Sequence, residues 1–221
     1  MKPLLLFQRT PFCQSIQDRL RLQEKFRNRF QFISVPISTI SDEKRALADR
    51  IPRDLPILLV WGDGTNHHFS NLLNIPGSTK RVWDAHTDIG AISEETPLDF
   101  ENHNSFSAQE GVILRICNGL DRRGQPYYSV FDDRPGNGLL HLSVDLDIMY
   151  DFPSLGWMSK GNMALAQLLD QIRNAATEGK RLVRVDIGGF SEDPKIKDWF
   201  VYQKYYRPLI EEVANLFEMA Q

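Results

Sequence analysis

The segment Val82-Trp83-Asp84-Ala85-His86-Thr87-Asp88-Ile89-Gly90 joins the end of an apolar run to three side chains of the kind that bind metal ions. A strand turns alternate side chains to the same side, so we expect Asp84, His86 and Asp88 to converge. Carboxylates that leave an apolar strand are costly to bury unless a positive charge meets them. The spacing therefore predicts a cation site where this strand ends.

A second segment about sixty residues downstream repeats the pattern with carboxylates alone. In Leu142-Ser143-Val144-Asp145-Leu146-Asp147-Ile148, Asp145 and Asp147 alternate at the end of another apolar run. The four carboxylates of the two segments carry a formal charge of about −4, which balances two divalent ions. Two ions about 3.5–4 Å apart can lower the pKa of a shared water. The absence of a thiolate-rich set argues against a structural zinc site.

The bulk composition limits the classes of protein to consider. The chain has 221 residues, 42% hydrophobic and 25% charged, and a formal net charge of −3. This length suits one domain spanning residues 1–221, and the charge gives no electrostatic footprint for nucleic acid or an anionic membrane. Cys13 and Cys117 are expected to be buried thiols of a reducing compartment. No signal peptide or membrane span is apparent, so we expect a cytoplasmic location.

Apolar runs of strand length alternate with amphipathic stretches of helix length, which predicts a three-layer αβα domain with a mostly parallel central sheet. In such folds, ligands sit at the carboxyl ends of the strands, where both acidic segments and the loop after Trp61 fall. Residues 112–117 are compatible with either strand or helix, and we weakly favour helix. Strands are predicted at 3–7, 30–36, 56–61, 81–84, 127–131, 139–145 and 181–187. Helices are predicted at 15–27, 41–50, 67–73, 161–177 and 193–219.

The two acidic segments resemble the signatures of a known superfamily. Asp84-Ala85-His86-Thr87-Asp88 resembles the D-A-H-x-D signature of the arginase–agmatinase (ureohydrolase) superfamily, and Ser143-Val144-Asp145-Leu146-Asp147 is similar to its second signature, S-[LIV]-D-x-D. The resemblance extends from residue 56 to residue 194. It implies an arginase/deacetylase-like fold and a binuclear site for two Mn²⁺ ions.

The superfamily also uses a histidine upstream, in a glycine-rich loop that opens a helix. Gly62-Asp63-Gly64-Thr65-Asn66-His67-His68 follows the strand predicted at 56–61, and it is similar to the G-N-x-H of small superfamily members. The resemblance favours His68 as the ligand, with His67 as the alternative. The implied metal ligands are then His68, Asp84, His86, Asp88, Asp145 and Asp147.

A further histidine after the first signature serves the superfamily as a proton shuttle. His103 lies in Phe100-Glu101-Asn102-His103-Asn104-Ser105-Phe106, which resembles the agmatinase-type pattern F-D-H-G-x-x-F. The resemblance implies His103 and Asp88 as catalytic residues, and a neutral imidazole can accept a proton and pass it to a leaving amine. A solvated loop histidine is the alternative for His103.

The superfamily holds the cationic substrate group with an acidic residue just after the last core strand. Here the segment Val185-Asp186-Ile187-Gly188-Gly189-Phe190-Ser191-Glu192-Asp193-Pro194 departs from the usual E-V-N-P. Glu192 is the first candidate for this substrate-binding role, and Asp186 is the second.

Taken with the ligand set, the resemblance implies a metal-dependent C–N hydrolase that acts on linear amidines. The chain is shorter than typical arginases and agmatinases, and resembles the short relatives that convert arginine residues of ribosomal peptides to ornithine. We therefore expect a peptide arginase whose partner is an arginine-containing peptide, with neither nucleic acid nor membrane as a partner and with oligomeric state left open. The alternatives are a small-molecule ureohydrolase (agmatinase, arginase or formiminoglutamase type), a zinc deacetylase-like amidohydrolase, or a metal-binding protein without activity.

Overall fold

The computed structural model describes residues 2–35, 42–52, 55–60, 67–90, 103–152, 161–188 and 202–219. Within these ranges the strands are β1 Leu4–Gln8, β2 Gln31–Val35, β3 Ile57–Val60, β4 Thr79–Trp83, β5 Ile113–Leu120, β6 Pro126–Phe131, β7 Leu139–Asp145 and β8 Arg181–Gly188. The α-helices are α1 Pro11–Leu20, α2 Leu22–Phe26, α3 Asp42–Arg50, α4 His67–Leu72, α5 His103–Gln109, α6 Leu165–Ala176 and α7 Arg207–Met219. A 3-10 turn, Leu146–Ile148, follows β7, and a π-helical turn, Tyr202–Tyr206, precedes α7.

The strands form one sheet in the order β2-β1-β3-β8-β7-β4-β5-β6. All neighbouring pairs are parallel except β5 and β6, which are antiparallel. A sheet covered on both faces explains why β1 and β3 are buried along their whole length and, apart from Gln8, apolar rather than alternating. The predicted mostly parallel α/β architecture is confirmed.

Apolar cores on both sides of the sheet establish the three layers. Alternate residues of β1 face opposite ways: Leu5 and Phe7 pack in a cluster with α1, α2, α6 and α7, whereas Leu4 and Leu6 pack in a second cluster with α3 and α4. We call the first side face A and the second side face B. Trp83 of β4 belongs to face A, so its neighbour Asp84 leaves the sheet toward face B.

The preference for helix at 112–117 is wrong, because Ile113–Leu120 is the strand β5. It pairs in parallel with β4, from Thr79 opposite Ile113 to Trp83 opposite Cys117, and in antiparallel with β6. Local periodicity does not separate a buried strand from a buried helix in so short an apolar run. Ladders on both sides fix the extended form.

Other departures concern the ends of helices. The helix predicted at 15–27 divides in two at Arg21, which adopts a left-handed conformation with φ of 51°. The helix predicted at 161–177 begins only at Leu165, since Ala164 is extended and its N–H donates to Gln167 Oε1 at 2.9 Å. Residues 193–201 of the last predicted helix lie outside the described residues, and the described part opens with the π-helical turn.

Cys13 and Cys117 are both buried thiols, as the sequence predicts. Among the described residues, every helix is too short or too polar to cross a bilayer.

Candidate metal centre

The sheet brings the two acidic segments side by side, although they lie about sixty residues apart in sequence. β4 and β7 are parallel neighbours, with Val82 opposite Ser143 and Trp83 opposite Val144. The residues that follow this register are Asp84 and Asp145, so both segments leave the sheet at the same level of its carboxyl edge.

Three side chains from the two segments form a compact group of potential ligands. Donor atoms of Asp84, His86 and Asp147 all lie within 4.8 Å of one another. The His86 ring places Nδ1 2.8 Å from Asp147 Oδ2 and 3.6 Å from Asp84 Oδ1. Asp147 also accepts a hydrogen bond at 3.0 Å from the backbone N–H of Ala85, which ties the second segment to the first.

Two further predicted ligands, Asp145 and Asp88, border this group. Asp145 is buried, and its Oδ1 accepts a hydrogen bond from the Asp147 N–H at 3.1 Å, which turns the chain into the 3-10 turn. Asp88 has φ of 48°, a left-handed conformation that is uncommon outside glycine. Its Oδ2 lies 3.4 Å from Nδ1 of His103.

The electrostatics of the group fit a divalent cation. Burial, together with the charges of Asp147 and Asp84, raises the pKa of Asp145 well above its usual range. Burial and the charge of Asp84 likewise raise the pKa values of Asp88 and Asp147. Hydrogen bonds to Asp147 and then Asp84 raise the pKa of His86 to about 10. Buried carboxylates that repel one another are the donors that an oxygen-binding divalent ion stabilises, and one imidazole suits manganese or a neighbouring transition metal.

The upstream histidines occupy the predicted helix start. His67 is the first residue of α4 and His68 the second, but their side chains lie outside the described part of the structure. The choice between His68 and His67 as a ligand stays a prediction.

His103 is in a helix rather than the predicted loop. It is the first residue of α5, and only 1% of it is exposed, so it is not a solvated loop residue. Its carbonyl accepts hydrogen bonds from Asn71 Nδ2 at 2.8 Å and Ser107 Oγ at 3.2 Å, and these fix the start of α5 beside α4. The imidazole therefore approaches Asp88 from a rigid element.

The two candidates for the substrate carboxylate differ in what the structure records. Glu192 lies outside the described residues. Asp186 is buried on face B of β8, where its Oδ2 lies 2.6 Å from His141 Nε2 and accepts a hydrogen bond from Ser70. Burial alone raises the pKa of Asp186, but His141, Arg184 and Lys80 outweigh it and lower the pKa to about 2.

Two asparagines that sequence reasoning missed hold the backbone of residues 84–88. Asn118, at the end of β5, donates from Nδ2 to the carbonyls of Asp84 at 2.9 Å and His86 at 3.0 Å. Asn104 donates from Nδ2 to the Thr87 carbonyl at 3.0 Å, and its N–H donates to the Asp88 carbonyl at 3.2 Å. Neither asparagine belongs to a periodic pattern, so only knowledge of the strand order reveals them.

No protein-family model matches the chain, and no curated protein sequence matches it. Solved structures do match. Formimidoylglutamase from Bacillus subtilis subsp. subtilis str. 168 superposes with a TM-score of 0.68 at 10% identity, covering 100% of this chain and 88% of that chain. Proclavaminate amidino hydrolase from Streptomyces clavuligerus gives 0.66 at 11% identity, covering 100% and 93%. Arginase from Bacillus subtilis gives 0.57 at 12% identity, covering 97% and 98%.

At identities this low the likeness is one of fold. The chain has the arginase-like α/β fold, and its two acidic segments lie together at the carboxyl edge of that fold. This fold is the one that the resemblance of the two motifs implies.

Proposed function

We propose that the protein is a manganese-dependent hydrolase of guanidino groups that converts peptidyl arginine to ornithine and releases urea. The contact of His86 with Asp147 carries the proposal, because it joins the two motifs into one ligand group. The fold supports it, since an arginase and an amidino hydrolase are among the solved structures that match.

The proposed ligands of two Mn²⁺ ions are His68, Asp84, His86, Asp88, Asp145 and Asp147. When bound, the ions supply Lewis-acid activation of water near neutral pH. Four carboxylates and one or two imidazoles suit such a pair better than the single zinc of a deacetylase-like enzyme.

In this proposal His103 moves the proton. The Asp88 carboxylate holds the Nδ1 side of the ring, which directs Nε2 to take a proton from the attacking water and return it to the leaving amine. In the hydrolysis, water adds to the guanidinium carbon and the bond from this carbon to the side-chain nitrogen breaks. The products are urea and a primary amine.

Glu192 is the proposed partner of the guanidinium group, and Asp186 is the second choice. The contacts of Asp186 favour this order, because its carboxylate already contacts His141 and lies near the buried cations Arg184 and Lys80. A carboxylate with these partners is less available to bind a cationic substrate.

One observation supports a peptide as substrate. Within the described part of the structure, the site is accessible on one side, since the His86 side chain is 35% exposed and Ile89 is 45% exposed. The second candidate is a small-molecule ureohydrolase, which the names of the matching structures favour.

A substrate panel tests the proposal and separates the two candidates. The manganese-loaded protein is incubated with an arginine-rich peptide, free arginine, agmatine and formiminoglutamate, and urea and product masses are measured. We expect each modified arginine of the peptide to become lighter by one cyanamide unit, and free arginine to remain unchanged. Turnover of a free compound alone supports the small-molecule candidate, and no turnover of any compound contradicts both.

A further inference from the structure

Face B of the sheet carries a buried layer of basic residues beneath the metal centre. On β4, β7 and β8 the side chains that precede the acidic segments on this face include Lys80, His141 and Arg184. Lys80 lies opposite His141 in the ladder, and His141 lies opposite Arg184. All three are at most 3% exposed. Burying a charged group is costly unless it is paired or hydrogen-bonded, so the partners of these side chains indicate what each one does.

Lys80 connects this layer to helix α5. Its Nζ lies 3.1 Å from Asn104 Oδ1 and 3.5 Å from Ser107 Oγ. Burial lowers the pKa of Lys80 to about 8, against the opposing effect of Asp186, so the amine is still mainly cationic at neutral pH. A buried ammonium group makes strong, charge-assisted hydrogen bonds, which fix the orientation of the Asn104 amide.

Asn104 in turn connects Lys80 to the metal centre. With Oδ1 committed to Lys80, the amide presents Nδ2 to the Thr87 carbonyl at 3.0 Å, and the Asn104 N–H donates to the Asp88 carbonyl at 3.2 Å. These bonds end at the residue that adopts the left-handed conformation, Asp88. Such a conformation in a residue other than glycine persists only where surrounding contacts determine it.

We propose that Lys80 is a positioning residue for the metal centre, which acts through Asn104 to hold Thr87 and Asp88 in the conformation that presents the Asp88 carboxylate to one of the two ions. The inference rests on the proposed binuclear function. Loss of Lys80 would weaken binding of the ion that Asp88 holds. Asp84, His86 and Asp147 would still bind the other ion. Outer contacts of this kind typically change metal affinity by about 10- to 100-fold.

The test measures manganese per chain and the affinity of each ion in Lys80→Met and Asn104→Asp. Lys80→Met removes the ammonium group but keeps the length of the side chain. Asn104→Asp keeps an oxygen toward Lys80 and replaces the donor that faces the Thr87 carbonyl. We expect both variants to bind one ion with wild-type affinity and the second about 10- to 100-fold more weakly. Weakening confined to one of two ions is not expected from general loss of stability.

Lys180→Met is the matched control. Lys180 bonds to the same strand, since its Nζ lies 3.1 Å from Thr79 Oγ1, but Thr79 is at the end of β4 away from the metal centre. We expect this variant to bind two ions with wild-type affinity. If Asn104→Asp, folded as judged by circular dichroism, also binds both ions with wild-type affinity, the inference is overturned while the proposed function stands. If the wild-type protein binds no manganese, the proposed function fails and the inference fails with it.

Discussion

His86 Nδ1 lies 2.8 Å from Asp147 Oδ2, so a histidine from one strand-end motif contacts an aspartate from the other. The contact exists because β4 and β7 are parallel neighbours in register, although the helix α5 and two further strands separate them in the chain. Each motif alone offers alternating ligands at a strand end. Because the two motifs lie side by side, their ligands form a single cation-binding centre.

The first prediction concerns one buried carboxylate from each acidic segment. Asp84→Ala and Asp145→Ala are each expected to lower manganese content and hydrolytic activity together, with at least a 100-fold loss of affinity for the ion concerned, because few ligands share each ion. Metal analysis of the dialysed proteins and a urea assay measure both quantities. Asp170→Asn, at a side chain 67% exposed on α6, is the control and should match the wild type. Full activity in either test variant would remove that residue from the site.

The second prediction separates His103 from the ligands. His103→Asn is expected to lower kcat by about 10²- to 10⁴-fold, because it removes a general acid–base group. At saturating manganese two ions should remain bound, since this residue contacts Asp88 without belonging to the proposed ligand set. Steady-state kinetics across pH, combined with metal analysis of the same sample, make the comparison. Loss of manganese in parallel with activity would instead make His103 part of the metal site.

The third prediction distinguishes the two candidates for the substrate carboxylate. Glu192→Gln is expected to raise KM for a guanidino substrate about 10-fold or more and to leave the free energy of unfolding unchanged, because it removes charge that meets the substrate. Asp186→Asn is expected to lower the free energy of unfolding by about 3 kcal/mol, since it leaves Arg184 and Lys80 buried without their anion. Denaturant titration and kinetics on both variants decide the assignment. The reverse pattern would make Asp186 the substrate residue.

The fourth prediction follows from the buried histidine. Burial lowers the pKa of His141 from its usual value of 6.5 to about 4, despite the attraction of Asp186. Between these values the unfolded chain binds a proton at this residue and the folded protein does not, so acid favours unfolding. The contribution is complete above pH 6.5 and is lost progressively as the pH falls toward 4.

His141→Gln measures this contribution, because glutamine keeps a donor for Asp186 and does not titrate. The stability advantage of the wild type over the variant should shrink by about 2 kcal/mol between pH 7 and pH 5, at about 1.4 kcal/mol for each pH unit below 6.5. Asp186, Arg184 and Lys80 also face this ring, but they are common to both proteins and cancel in the difference. A difference that does not change between pH 7 and pH 5 would show that folding does not lower the pKa of His141.

The sequence predicts those features of the fold and site that local patterns encode. The apolar run of β3 and the alternation of Asp84, His86 and Asp88 are local, and they place a parallel sheet and ligands at its carboxyl edge. The strand at Ile113–Leu120 is not encoded by a local pattern, because its extended form depends on hydrogen-bond ladders to β4 and β6. Local periodicity therefore leaves strand and helix open for this segment, and the preference for helix fails.

The residues that support the metal centre, Lys80 and Asn118, also cannot be predicted from local sequence patterns. A lysine in a strand is ordinarily expected to reach solvent, yet Lys80 is fully buried because α5 covers it with Asn104 and Ser107. Asn118 likewise gains its role only from the strand order, which puts the end of β5 beside residues 84–86. Such contacts depend on tertiary structure, and a single sequence carries no periodic trace of them.

The most direct test of the central claim, that both motifs build one centre for two ions, is the electron paramagnetic resonance spectrum of the manganese-loaded protein. At two equivalents of Mn²⁺ per chain, we expect the spectrum of an exchange-coupled pair, and Asp88→Ala should convert it to that of an isolated ion. A wild-type spectrum of isolated ions only, with no coupled signal at saturation, would contradict the account.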